Sequence, residues 1–152
     1  MSENIDDPVT IEELQMLYEA LKLAALIEPP TNFDGYVYLV EYNGDYKIGR
    51  SVDPYTRIRQ FSKIVLPHDY EILFSFPCQN AALTERATHE AYAKEHIRGE
   101  WFRFDERLLI DVKAFIMFSS DCIADANKIM TDHGERINRR LGYQWFDAAL
   151  FS

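Results

Sequence analysis

Four side chains of this 152-residue sequence would suit an attack on a phosphodiester if the fold brings them together: Tyr38, Lys47, Arg57 and Glu85. Such a reaction needs a group that positions or deprotonates water, a cation that neutralises charge on the phosphate, and a carboxylate that holds a divalent metal. The unperturbed pKa of a tyrosine is about 10, and a neighbouring lysine would lower it. Tyr38 could then act as a base. The fork of an arginine suits a phosphate, and Mg²⁺ is usually held by one carboxylate with several waters.

Tyr38 and Lys47 belong to a predicted β-hairpin over residues 35–50. Asn43-Gly44 lies between two runs of β-branched and aromatic residues, which is the strongest short-range sign of a two-residue hairpin loop. This loop sets three facing pairs, Tyr42 with Asp45, Val40 with Lys47, and Tyr38 with Gly49. Because strand side chains alternate, Tyr38 and Lys47 share one face beside a glycine that would admit a close approach, and Tyr46 faces the core.

Arg57 and Glu85 fall on two predicted helices that follow the hairpin. Asp53-Pro54 is typical of a helix start, with an aspartate N-cap and a proline in the first turn. A third strand is predicted from Tyr70 to Phe76, ended by Pro77. Asn80 then caps a helix from Ala81 to about Glu95, on which Glu85, His89, Tyr92 and His96 lie along one stripe.

Helical segments are also predicted on both sides of this region. Thr10 to Glu13 is a capping box, and the amphipathic helix that follows ends at Pro29-Pro30. It must dock on its own domain or on a second copy. Further helices are expected from Asp105 and from Asp121 to Leu141. The aromatic tail 143–152 must pack on the domain or on a partner, so a homo-oligomer or a protein partner could use these flanks.

The composition restricts the class of protein. The net charge is −9, but residues 1–34 hold eight acidic residues and one basic residue, whereas five basic residues and one acidic residue lie within 47–63. The basic cluster after the hairpin could therefore bind a phosphate, or it could be only a solvated helix face. Cys78 and Cys122 show neither disulfide nor metal spacing, which predicts free thiols in a reducing cytoplasm. No apolar run approaches the roughly 20 residues of a membrane helix.

Five short motifs occur in a fixed order: Gly35-Tyr36-Val37-Tyr38-Leu39, Lys47-Ile48-Gly49-Arg50-Ser51, Asp53-Pro54 with Arg57, Glu85 with His89, and Gly99-Glu100-Trp101-Phe102. Over residues 35–104 they resemble the GIY-YIG nuclease superfamily, in its branch of small, often phage-encoded proteins with Lys-Ile-Gly as second motif. Lys47 stands where the wider family has its second tyrosine, and the hairpin register favours it over Tyr46. The terminal asparagine of the wider family has no clear counterpart.

The resemblance implies an α+β fold with a small three-stranded antiparallel sheet and flanking helices. Residues 35–104 would form this core, between an acidic tail and amphipathic helix (1–34) and a C-terminal helical extension (105–152). It also implies an endonuclease that uses Mg²⁺ or Mn²⁺ on nucleic acid, with DNA expected, in the cytoplasm and either bacterial or phage-encoded.

The implied catalytic residues are Tyr38, Lys47, Arg57, Glu85 and His89. Tyr38 would activate water with help from Lys47, Arg57 would stabilise phosphate charge, and Glu85 would hold the metal. His89 would orient Glu85 or shuttle a proton.

Structural interpretations of the same residues remain open at this point. Tyr38 and Lys47 could be ordinary strand residues, Arg57 could pair with Asp53 across one helical turn, and His89 could only hydrogen-bond Glu85. Glu100 and Trp101 are expected to be a turn residue and a core anchor. The acidic segment also suggests an alternative function, a catalytically silent module that binds or regulates a protein partner, as in phage–host conflict.

Overall fold

The computed structural model describes residues 9–57, 59 and 71–133. In chain order its elements are α1 (Ile11–Ile27), β1 (Gly35–Tyr42), β2 (Asp45–Ser51), β3 (Glu71–Cys78), α2 (Ala81–Ala91), a 3₁₀ turn (Ala93–Glu95), β4 (His96–Arg98), β5 (Trp101–Phe102), α3 (Glu106–Ser119) and α4 (Ala126–Asp132). Residues 54–57 are also helical. Within these described ranges, no helix is long and apolar enough to cross a membrane.

The hairpin has the register that its loop predicts. Asn43 and Gly44 both adopt positive φ, 54° and 85°. The facing pairs are Tyr42 with Asp45, Val40 with Lys47, and Tyr38 with Gly49. The choice of Lys47 over Tyr46 as the residue on the Tyr38 face is therefore confirmed.

The two faces of the sheet bury different side chains. Val37, Leu39 and Ile48 belong to the main hydrophobic core with the helices. Tyr38 and Val40 form a separate small cluster, against which Ile72 packs. The candidate face is thus distinct from the core face, although Tyr38 itself is only 1% exposed.

The α+β class is confirmed, but the expected three-stranded sheet is wrong. The sheet has five strands in the order β3-β1-β2-β5-β4, with antiparallel pairing. The two additional strands have three and two residues. Segments this short show no measurable alternation of apolar and polar residues. They are strands because β5 pairs with β2 and β4 pairs with β5.

Two predicted element ends also differ from the structure. β3 continues through Pro77 to Cys78, because it lies at the sheet edge and needs no N–H on its outer side. α2 ends at Ala91, and the chain then forms the 3₁₀ turn, so that His96 lies on β4 and not on the Glu85 helix.

The flanking helices pack on the same core as the sheet. The predicted caps are present, because Thr10, Asn80 and Asp105 each accept a backbone N–H three residues on. From α1, Leu14, Leu17 and Leu21 are fully buried beside α3. The N-terminal helix therefore docks on its own chain. Within the helix predicted from Asp121 to Leu141, the structure describes a shorter helix, α4. The aromatic tail 143–152 lies outside the described residues.

Candidate active site

Tyr38 lies across Gly49, its partner on the neighbouring strand. A Cβ added to Gly49 would lie 2.5 Å from the Tyr38 hydroxyl and 2.6 Å from the adjacent ring carbon. A side chain could enter that space only if the Tyr38 ring moved. The group that approaches this glycine closely is therefore the Tyr38 ring, and the glycine determines where the hydroxyl lies.

The expected lowering of the Tyr38 pKa is wrong. Burial raises the pKa of Tyr38 above its usual 10.0, and the carboxylates of Glu100 and Glu85 raise it further. Arg57 opposes them, through its charge and through a hydrogen bond to the hydroxyl, without reversing the direction. Tyr38 is therefore a neutral hydroxyl at physiological pH. The cation that opposes this rise is Arg57, whereas the Lys47 ammonium lies against Glu100.

Lys47 and Glu100 form an ion pair at the base of the site. The Lys47 Nζ lies 3.6 Å from Glu100 Oε2, with 7% of the lysine side chain exposed and 45% of the glutamate. Both residues are held by the pairing of β5 with β2. Lys47 is therefore an enclosed cation and not a solvent-facing strand lysine.

Glu85 projects from the first half of α2, a helix that Asn80 caps through its side-chain oxygen. Its carboxylate Oε2 lies 3.6 Å from the Nε of Arg50, and 18% of the side chain is exposed. Burial raises the pKa of Glu85 and the Glu100 carboxylate adds to the effect, whereas His89, Arg50 and Lys47 act in the opposite direction. Glu85 is thus a partly buried carboxylate among charges of both signs.

His89 links α2 to β2. Its Nε2 lies 3.0 Å from the carbonyl oxygen of Ile48, and its ring stands edge-on to Phe102. Because a carbonyl can only accept a hydrogen bond, Nε2 must carry the proton of that contact. Any proton shuttle or contact to Glu85 would therefore have to use Nδ1.

Arg57 belongs to the helical segment that begins at Pro54, and its side chain is exposed. The expected N-cap is present, since Asp53 accepts hydrogen bonds from the backbone N–H and the hydroxyl of Thr56. These bonds lower the pKa of Asp53. Arg57 instead acts on the Tyr38 hydroxyl. The interpretation of Arg57 as a partner for Asp53 is not supported.

The structure therefore brings Tyr38, Lys47, Arg57 and Glu85 into one cluster, and His89 lies about one helical turn after Glu85 on α2. Sequence reasoning missed two members, Glu100 and Arg50. Glu100 was expected to be only a turn residue, and Arg50 was noted only as part of a motif. The signal would have been the pairing of Trp101 and Phe102 with β2, which places Glu100 beside Lys47. The strands on either side of Glu100 were too short to recognise.

The carboxylates of the cluster are ligands of the kind that Mg²⁺ or Mn²⁺ prefers. The described residues contain no group of three or more candidate histidine, cysteine or carboxylate ligands. A hard cation that keeps most of its waters needs only one or two carboxylates, which Glu85 and its neighbour Glu100 could supply. Burial and then the Glu100 carboxylate raise the pKa of Glu85, and a bound cation would oppose that rise.

Comparison with known proteins gives one match. A family model described as the T5orf172 domain matches residues 35–117, more than half of the chain and beyond the 104 at which the motif resemblance ends. This domain family is phage-associated and linked to nuclease-like and DNA-binding functions. Searches of curated proteins and of solved structures each found no match.

Proposed function

The chain belongs to the T5orf172 domain family, and from this premise we propose that it is a metal-dependent phosphodiester hydrolase. The proposed activity is that of a GIY-YIG-type endonuclease acting on nucleic acid, with DNA as the expected substrate. We further propose that it acts in the cytoplasm of a bacterial host, as a host or phage protein. The two cysteines, which are free thiols, agree with a reducing compartment.

One observation supports this proposal above the others. Arg57, from the helical segment at 54–57, and Glu85, from α2, both act on the pKa of Tyr38 in β1. Lys47, from β2, acts on that of Glu85, although the residues are far apart in sequence. The cluster has an enclosed base, formed by Tyr38 and Lys47, and a more exposed rim with Arg57. Such a graded arrangement would let a phosphate approach the arginine while the hydroxyl stays fixed.

Each side chain has a proposed role that its geometry supports. The neutral Tyr38 hydroxyl positions the attacking water by accepting its hydrogen bond, because a raised pKa disfavours a free phenolate. Arg57 donates to phosphate oxygens and stabilises the charge that develops there. Lys47 adds a second cation at the base of the site. Glu85 would hold Mg²⁺, which would supply further charge neutralisation at the phosphate.

His89 has a smaller proposed role. Its contact with the Ile48 carbonyl fixes the position of α2 against β2, and so the depth of Glu85. The remaining Nδ1 could orient Glu85, whose pKa the histidine lowers. We therefore propose His89 as a residue that positions Glu85.

A second candidate function has its own support. Tyr38 is almost fully buried with a raised pKa, and Lys47 is already paired with Glu100. These features also suit a catalytically silent GIY-YIG-like module that binds a protein partner, with the acidic N-terminal segment covering a basic groove or imitating nucleic acid.

Cleavage of supercoiled plasmid in the presence of Mg²⁺ separates the two candidates. The nuclease proposal predicts that wild type converts the plasmid to nicked or linear form and that Glu85→Gln does not. Glu90→Gln is the matched control, since Glu90 is an exposed carboxylate on the same helix. Equal amounts of intact plasmid with wild type and Glu85→Gln would favour the binding module.

A further inference from the structure

Glu100 lies at the tip of the β4–β5 hairpin, and main-chain contacts fix it against β2. The amide of Ile48 donates to the Glu100 carbonyl at 3.0 Å, and Lys47 pairs with Trp101. Gly99 adopts a left-handed φ of 55°, which closes the turn just before Glu100. The position of Glu100 is therefore set by the strand that carries Lys47.

The side chains of Glu100 and Lys47 differ in their access to solvent. Only 7% of the lysine side chain is exposed, against 45% of the glutamate side chain, and their charged atoms lie 3.6 Å apart. An ammonium removed from water is costly unless an anion compensates it. The flexible four-carbon stem of lysine allows many positions for the ammonium, and a fixed carboxylate selects one of them.

We propose that Glu100 is a positioning residue of the site, whose carboxylate holds the Lys47 ammonium at the base of the cluster near Tyr38 and Glu85. This inference rests on the proposed function, because it assigns Glu100 a part in that reaction. A separate observation agrees with it. Among charged neighbours, Glu100 has the largest effect on the pKa of Tyr38 and on that of Glu85.

A double-mutant cycle in cleavage rate tests whether Glu100 acts through Lys47. Glu100→Gln keeps the size of the side chain and removes its charge. We expect kcat to fall about 10- to 100-fold, as for other residues that orient a reactive group, with KM little changed. In a Lys47→Met background, the same change should alter kcat by less than about twofold. An equal loss in both backgrounds would overturn the proposal.

Calorimetric titration with Mn²⁺ separates positioning from metal ligation. If Glu85 alone supplies the ligand, Glu85→Gln should lose Mn²⁺ binding, and Glu100→Gln and the control Glu90→Gln should retain it. Loss of Mn²⁺ binding in Glu100→Gln would make Glu100 a metal ligand and overturn the positioning role.

Urea unfolding of the four proteins of the double-mutant cycle (wild type, Glu100→Gln, Lys47→Met and the double variant) requires no activity. It also reports whether the variants fold. Glu100→Gln should lower the unfolding midpoint more in the wild-type background than in Lys47→Met, because only the former keeps a cation that needs the carboxylate. If the midpoint shift of the double variant equalled the sum of the two single shifts, Glu100 and Lys47 would not be coupled, and the proposal would be overturned. A wild-type protein that shows this coupling but cleaves nothing would contradict the proposed function and leave the Glu100–Lys47 positioning standing.

Discussion

Gly49 determines where the Tyr38 hydroxyl can lie, so this pair gives the sharpest prediction at the scale of single residues. Gly49→Ala adds a methyl carbon only 2.5 Å from the hydroxyl oxygen, so the ring must move. We expect a cost of about 1–3 kcal/mol in the free energy of unfolding, typical of overpacking. Cleavage should be lost under conditions in which circular dichroism shows a folded protein.

A second background provides the control for this prediction. In Tyr38→Ala the ring is absent, so the added methyl group should meet much less resistance and the cost of Gly49→Ala should shrink. An unchanged cost would show that something other than the Tyr38 ring requires the glycine.

Glu85 is expected to reduce the stability of the metal-free protein. Burial and the Glu100 carboxylate raise its pKa in the folded state. The folded state therefore binds the proton more tightly than the unfolded state, and the ionised form is penalised. This loss of stability develops as the pH rises from the unfolded value near 4.5 to the raised folded pKa, and it is complete above the folded pKa. Glu85→Gln should consequently unfold at higher urea than wild type at pH 7 with EDTA, and at similar urea near pH 4.

The opposite result at pH 7 would be informative. A lower urea midpoint for Glu85→Gln would mean that the contact with Arg50 outweighs burial, and that Glu85 is a structural ion-pair partner.

At the scale of elements, α2 determines where Glu85 lies, and its N-terminal cap can be tested. Asn80 accepts the backbone N–H of Leu83 at 3.1 Å. Asn80→Ala should therefore cost about 1 kcal/mol in the free energy of unfolding. Hydrogen exchange should rise in the first turn of α2, with less change near the contact of His89 with β2. If hydrogen exchange in the first turn of α2 were the same in Asn80→Ala and in the wild type, the cap would not be what fixes this end.

The elements also show how far sequence could predict this fold. Asn43-Gly44 requires positive φ at both residues, and that local requirement alone predicts which side chains face each other across the hairpin. Helix caps at Thr10, Asn80 and Asp105 are equally local. β4 and β5 depend instead on pairing with β2, which no pattern of two or three residues reveals.

The predicted site was less complete than the predicted fold, for a related reason. Residue type and spacing placed Tyr38 and Lys47 on one face and Glu85 on a helix. The direction of the Tyr38 pKa depends on burial and on a carboxylate 62 positions away, Glu100. Neither is visible before the chain is folded.

At the scale of the whole molecule, α1 is part of the main core rather than a detachable extension. Leu17 is fully buried in the cluster that also contains Phe115 and Ile48. Leu17→Ala should cost about 2–5 kcal/mol, as for other large-to-small core changes. Met16→Ala, at a 62% exposed position on the same helix, should cost far less. Similar urea midpoints for the two variants would contradict this packing.

This packing changes how the acidic N-terminal segment should be studied. Deleting residues 1–30 would remove core leucines together with the charges, and any loss of function could then be a loss of folding. Replacing exposed Glu12 and Glu19 by Gln removes negative charge and leaves the core intact. If the segment screens a nucleic-acid surface, these variants should bind an oligonucleotide more tightly at low salt. Unchanged affinity would argue against such screening.

The most direct test of the central claim is the position of a divalent ion in crystals soaked with Mn²⁺. We expect an anomalous peak about 2.0–2.4 Å from a Glu85 carboxylate oxygen, on the side that faces Tyr38 and Arg57. The peak should be absent from Glu85→Gln crystals soaked in the same way. A peak confined to other carboxylates, or no peak at Glu85 in the wild-type protein, would contradict a metal-dependent active site in this cluster.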